Sequence, residues 1–155
     1  MKEKIISGIQ QIGIGVPKIY EAWGWYKKYF GVDVRIFEEA AAAELMLPYT
    51  GGKPRNRHAA LAINLQGGGG FEIWQYTDRI PEAPEFEIQI GDLGIYAAKI
   101  KSQNIKVTYE YFKSEGLEIV GDLNEGHEKE SFFVCDPYKN LFQIVPSNNW
   151  FRNDK

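Results

Sequence analysis

The stretch Asp136-Pro137-Tyr138-Lys139-Asn140-Leu141-Phe142-Gln143-Ile144-Val145 joins a turn to an alternating run. Asp-Pro initiates a turn, Asn140 suits its exit, and the residues that follow alternate faces as in a strand. Gln143 then shares a face with Leu141 and Val145. A glutamine on a sheet surface is either a satisfied structural amide or a contact for something bound there.

Working outward, the same kind of signal recurs through the chain. Residues 9–16 alternate, with Ile12, Ile14 and Val16 on one face and Gln11, Gly13 and Gly15 on the other. After Pro17, the apolar positions Ile19, Ala22, Trp23, Tyr26, Tyr29 and Phe30 form a helical stripe that Gly31 stops. Residues 32–39 read as a strand, 44–48 as a weaker one, 59–66 as another, and 71–76 as the strand closing the first half. Gly67 to Gly70 reads as the hairpin turn between the last two, since no Gly-Lys-Ser/Thr and no helix follows it.

Beyond the Pro-containing connection at residues 79–84 the order repeats. Residues 93–101 read as a strand, Asn104 caps a helix carrying Ile105, Tyr111 and Phe112, and Gly116 ends it. Residues 117–120, 131–135 and 140–145 supply three further strands. The expectation is an α+β chain of two βαβββ modules, residues 1–85 and 86–155, the second with a C-terminal tail. Laying Tyr26 to Gly31 over Tyr109 to Gly116 places Val16 on Ile100 and Gln11 on Ile95. A ferredoxin-like α+β sheet with extra strands is the competing fold.

The turn, its strand and the doubled plan resemble the vicinal oxygen chelate superfamily, which includes glyoxalase I, the extradiol dioxygenases and the bleomycin-resistance proteins. There the pattern usually runs Asp-Pro-x-Gly-Asn before a strand bearing a metal-binding glutamate; here Lys139 replaces the glycine and Gln143 the glutamate. The resemblance covers residues 9–145. It implies a cupped mixed sheet with helices outside and a lined hollow within, where four inward side chains hold a divalent metal. Carried over position by position, those four are Gln11, Glu72, Ile95 and Gln143.

That quartet holds one carboxylate, two neutral amides and one hydrocarbon, whereas a hard divalent ion favours anionic oxygen or imidazole. The expectation is therefore no tightly held metal, with a divalent ion on Gln11, Glu72 and Gln143 as the alternative. A strand register one residue different offers Tyr96 in place of Ile95. Trp74 and Tyr76 share the face of Glu72 and are expected to wall a pocket; Gly13, Gly15 and Ala97 leave room in it. Lys99, on the face of Ile95 and Ala97, reads as an exposed lysine or as an attractor for an anionic ligand.

Three functions follow as expectations. The first is a bleomycin-resistance-like protein binding a small organic molecule in the hollow through Gln11, Trp74, Tyr76, Ile95, Ala97, Lys99 and Gln143. The second is a metal-dependent lyase or isomerase resembling glyoxalase I. The third is a metal-free enzyme with Glu72 as general base. Whether the chain is an enzyme is left open by its sequence.

Composition narrows the partners. The chain has 155 residues, 44% hydrophobic and 25% charged, with a net charge of −3 spread among interspersed acids and bases. No basic footprint for nucleic acid appears, nor an apolar run approaching the ~20 residues of a membrane span. The N-terminus shows no sustained apolar segment of a secretory signal, and a cytoplasmic setting is expected. Cys135 is the only cysteine, which excludes an intrachain disulfide; it reads as a packed, unreactive thiol. The basic stretch 53–58, including His58, reads as a solvated loop, and His127 as part of a charged connection. Trp150 and Phe151 offer apolar surface for packing on the chain itself or in a homodimer.

Overall fold

A computed structural model describes residues 9–82, 84–123 and 130–147. His127, Trp150 and Phe151 lie outside the described residues. The chain divides into two compact units, Met1–Ala83 and Pro84–Lys155. Each contains a four-stranded mixed sheet and one α-helix, in the expected βαβββ order.

In the first unit, β1 (Gln11–Gly15) leads into α1 (Ile19–Phe30), followed by β2 (Val34–Ala42), β3 (Asn56–Asn64) and β4 (Gly69–Tyr76). The sheet order is β1-β4-β3-β2, with β1 parallel to β4 and the remaining pairs antiparallel. The stripe read from sequence is the buried one: Ile19, Ala22, Tyr26 and Phe30 face the sheet. Tyr26 meets Phe71 with ring centroids 4.9 Å apart, beside Ile14, Val16 and Ile73 in the core. Gly31 ends α1 at φ 63°, a left-handed conformation that only glycine adopts cheaply. Asn64 Nδ2 donates to the Phe30 carbonyl at 2.8 Å and satisfies one of the helix-end acceptors.

The second unit comprises β5 (Ala97–Ser102), α2 (Ile105–Ser114), β6 (Glu118–Val120), β7 (Phe132–Cys135) and β8 (Leu141–Pro146), in sheet order β5-β8-β7-β6. Again the first and last strands are parallel. Asn104 caps α2 as expected, its side chain accepting from Val107 N at 3.1 Å. Phe112 packs edge-on against Phe132, centroids 5.9 Å apart, over a core that includes Phe142 and Ile144.

The opening turn of β8 is built around Asp136, which is 2% exposed. Its Oδ1 accepts from Tyr138 N and Asn140 N, and its Oδ2 from Asn140 Nδ2, each at 2.8 Å. Lys139 occupies this turn at φ 68°, the positive-φ position where the resembled pattern has glycine.

Three sequence expectations need correction. The segment 44–48 is a short 3-10 helix, Glu44–Tyr49, because Pro48 has no N–H to give to a sheet ladder. The strand expected from Leu93 begins only at Ala97, since Gly94 at φ 126° interrupts the extended chain. Ile95 therefore lies ahead of β5, 73% exposed. The overlay of the halves also shifts: Gly13 pairs with Glu72 and Lys99 pairs with Gln143, so Gln11 corresponds to Ala97, not Ile95, and Val16 to Ser102. The cause lies in the helices. Gly116 follows Phe112 by four residues and Gly31 follows Tyr26 by five, so matching glycines and choosing Tyr109 as the partner of Tyr26 misplaces the strands before them.

Candidate functional site

Strand alternation fixes which side chains share the face of the first sheet turned away from α1. Residues paired across strands lie on the same face, so the β1–β4 and β3–β4 registers gather Gln11, Gly13 and Gly15, then Glu72, Trp74 and Tyr76, then Leu61, Ala59 and Arg57. Along β4, Glu72, Trp74 and Tyr76 follow at every second residue, about 6.8 Å apart. The apolar neighbours Phe71 and Ile73 point the other way into the core, at 2% and 0% exposure.

Gln11 and Glu72 meet directly: Gln11 Nε2 donates to Glu72 Oε2 at 2.8 Å. A carboxylate only accepts, so the contact fixes the amide with its nitrogen toward Glu72 and its oxygen turned away. Beyond Gln11, β1 carries no side chain on this face, since its next two positions there are Gly13 and Gly15. A Cβ built on Gly13 or Gly15 would meet nothing within 4 Å, so there is open space beside Glu72 and Trp74.

Sequence reasoning missed Arg57, which belongs to β3 rather than to a loop. Its guanidinium lies over the Trp74 ring, 4.9 Å from the centroid, and pairs with the Glu39 carboxylate. The alternation of residues 56–61 into the small apolar run Ala59-Ala60 was the available signal. Arg57 fixes one face of the indole and Glu39 offsets its charge. At the far end of β4 a recess of about 420 Å³ opens, walled by Pro17, Tyr76, Thr77, Asp78 and Arg79 among others. Gln11, Glu72 and Trp74 are not among its walls.

On the other face of the same sheet His58 is likewise a strand residue. Its Nε2 lies 3.1 Å from Glu38 Oε1, which also accepts from Tyr20 Oη of α1 at 2.7 Å; Arg35 Nη1 donates to Glu38 Oε2 at 3.0 Å. The Tyr20 hydroxyl, then the Arg35 guanidinium, then the His58 ring hold the Glu38 carboxyl below the usual carboxylate range.

In the second unit, Lys99 and Gln143 are paired neighbours on parallel strands, with Ala97 beside Leu141 on the same face. Gln143 Nε2 donates to Ser131 Oγ at 3.1 Å, so the satisfied-amide reading of this residue has a partner. Burial raises the Cys135 thiol above its ordinary range, with Glu118 adding to the effect. That keeps the nucleophilic thiolate scarce at neutral pH.

The donors described in the first unit are one carboxylate and one amide whose nitrogen faces that carboxylate. In the second they are one amide with an ammonium as its register neighbour and, at the position matching Gln11, a methyl group. Neither set suits a hard divalent cation, which needs anionic oxygens around it and is repelled by an adjacent ammonium. Among the described residues no three His, Cys, Asp or Glu side chains gather as a metal-binding group. No helix among them is long and apolar enough to cross a membrane.

No protein-family model and no curated protein sequence matches the chain. Solved structures do. A glyoxalase family protein from Bacillus cereus aligns at 13% identity and TM-score 0.70, covering 94% of this chain and 97% of its own. A glyoxylase/bleomycin resistance protein/dioxygenase domain from Frankia sp. EAN1pec aligns at 10% identity and TM-score 0.65 over 92% and 98%. The fosfomycin resistance protein FosX from Listeria monocytogenes aligns at 17% identity and TM-score 0.55 over 94% and 97%. The chain therefore has the fold of the glyoxalase/bleomycin-resistance/dioxygenase proteins.

Proposed function

We propose that this protein binds a small organic molecule on the open face of its first sheet, without a tightly held metal. Gln11 and Glu72 supply the polar contacts, and Trp74 and Tyr76 supply aromatic surface. Ala97, Lys99 and Gln143 form the corresponding face of the second module, where Lys99 brings a positive charge. Ile95, ahead of β5, takes no part in this reading.

The observation that carries it is the Gln11–Glu72 hydrogen bond beside the bare glycines of β1. The bond ties up the amide nitrogen against the carboxylate and leaves the second carboxylate oxygen to a ligand donor. The glycines leave volume next to it, and Trp74 offers a large flat apolar surface whose orientation Arg57 holds. A carboxylate and aromatic rings together suit a ligand with an aromatic body and a hydrogen-bond donor or cationic group.

Two measurements test the reading. Calorimetric titration with zinc, nickel and manganese ions should give no stoichiometric binding in the micromolar range. Thermal-shift screening of aromatic and cationic compounds against chelator-treated protein should give stabilising hits, since a ligand at about 100 times its dissociation constant adds about 2.7 kcal/mol. Turnover of methylglyoxal hemithioacetal that disappears on chelation and returns with metal would instead establish the glyoxalase I-like alternative.

A further inference from the structure

The recess at the far end of β4 carries two opposite charges without ion-pair partners. Asp78 and Arg79 both line it, and neither forms an ion pair with the other or with a third group among the described residues. All of its walls belong to the first unit. At about 420 Å³ it has room for a small molecule.

Hydrogen bonds hold these walls in place. Val16 N donates to the Trp74 carbonyl at 2.7 Å, which sets Pro17 beside the end of β4. Thr77 N donates to the Asn56 carbonyl and Asn56 N to Asp78 Oδ2, each at 2.9 Å, so the chain beyond β4 is fastened to the first residue of β3. Gln75 Oε1 accepts from Ile19 N at 2.9 Å, and its amide N–H groups make no hydrogen bond among the described residues. Pro17, Ile80 and Pro81 add apolar surface, and the Arg79 guanidinium lies 5.9 Å from the centroid of the Tyr76 ring. Two of the apolar walls are prolines, whose fixed φ leaves little ordering to be done on binding.

We propose that this recess binds a free α-amino acid with an aliphatic side chain. The Arg79 guanidinium and the Gln75 amide N–H groups take the carboxylate. Asp78 Oδ1, which Asn56 leaves open, takes the ammonium, and Pro17, Ile80 and Pro81 enclose the side chain. The two charged residues are consecutive, with Cα atoms about 3.8 Å apart, which suits a ligand bearing both charges on one carbon. A simple anion would be repelled by Asp78, and a simple cation by Arg79. A zwitterion satisfies both. Gln11, Glu72 and Trp74 are not among the walls, so the inference stands apart from ligand binding on the open sheet face.

Titration of the isotopically labelled full chain with L-leucine, followed through its backbone amide signals, tests it. Saturable shifts should centre on residues 75–80, with a dissociation constant of about 1 mM or tighter. L-Leucinamide lacks the carboxylate and N-acetyl-L-leucine the ammonium; each should bind about ten-fold more weakly. Arg79→Gln should weaken L-leucine about ten-fold and leave L-leucinamide unchanged. Asp78→Asn, which keeps an acceptor for Asn56 N, should weaken L-leucine and leave N-acetyl-L-leucine unchanged. No saturable shift at about 10 mM, shifts centred on Gln11 and Glu72, equal affinity for L-leucine and its derivatives, or either variant binding L-leucine as tightly as the wild type would each overturn the proposal.

Discussion

Gln11 on β1 reaches diagonally across the parallel pair to Glu72 on β4, its amide nitrogen 2.8 Å from Oε2, although the residue directly opposite Gln11 is Gly70. Substituting Glu72 by Gln keeps an acceptor for Gln11 and removes only the charge. Affinity for cationic compounds should then fall about ten-fold, the scale of one charge-assisted hydrogen bond. Neutral aromatic compounds should be held nearly as before. Titration of both compound classes into the two proteins checks this, and equal losses for both would remove Glu72 from the polar role assigned to it.

Gly70 itself allows no side chain. A Cβ there would lie 2.1 Å from the Ala62 carbonyl oxygen and 2.7 Å from Ile63 Cγ2. Gly70→Ala should destabilise the protein by about 3 kcal/mol through overpacking of the β3–β4 pair, whereas Gly13→Ala should be nearly neutral because nothing lies within 4 Å. Denaturant midpoints of the two variants measure the contrast.

Lys139 holds a left-handed backbone at φ 68° inside the Asp136 turn, and its ammonium pairs with Glu118 at 2.5 Å. The Glu118 carboxylate raises the Lys139 ammonium above its ordinary range. The pair is largely exposed and therefore screened, while the backbone cost is not. Lys139→Gly should raise the melting temperature by a few degrees, and Lys139→Ala should lower it. A glycine variant less stable than the wild type would show the ion pair outweighing the backbone.

Glu38 makes stability depend on pH at both ends of the scale. Its carboxyl is held low by Tyr20, Arg35 and His58, so its contribution is present above the unfolded-state value and lost as pH falls through the lower folded value. The Tyr20 phenol, raised chiefly by its hydrogen bond to Glu38, stabilises the fold below its unfolded-state value and ceases to as pH rises through the higher folded one. Melting temperature against pH should therefore be flatter on both limbs in Glu38→Gln than in the wild type. The difference is small, since Tyr20 is 64% exposed. Identical profiles would mean that the cluster adds nothing to folding.

Much of this structure was legible because it is local. The stripe of α1, its stop at Gly31 and the Asn104 cap each depend on a few consecutive residues, and the period-two alternation of β4 placed Glu72, Trp74 and Tyr76 on one face. The start of β5 was not legible, because Gly94 in a positive-φ conformation looks no different in sequence from a glycine within a strand. The correspondence of Gln11 with Ala97 follows from parallel pairing between strands distant in sequence, and aligning aromatics and glycines across helices of unequal length cannot supply it. Arg57 and His58 were hidden by the basic and Pro-containing residues just before them, which made the first residues of β3 look like loop.

The open face of the first sheet depends on the empty space over Gly13, and that space can be filled without backbone strain. Thermal shifts of the wild type and Gly13→Leu, both stripped of metal by chelator and screened with the same aromatic and cationic compounds, decide between binding there and binding elsewhere. Compounds that stabilise the wild type in chelator and leave Gly13→Leu unmoved are expected. Shifts that require added divalent ion, or that persist in Gly13→Leu, would contradict a metal-free ligand face built on Gln11, Glu72 and Trp74.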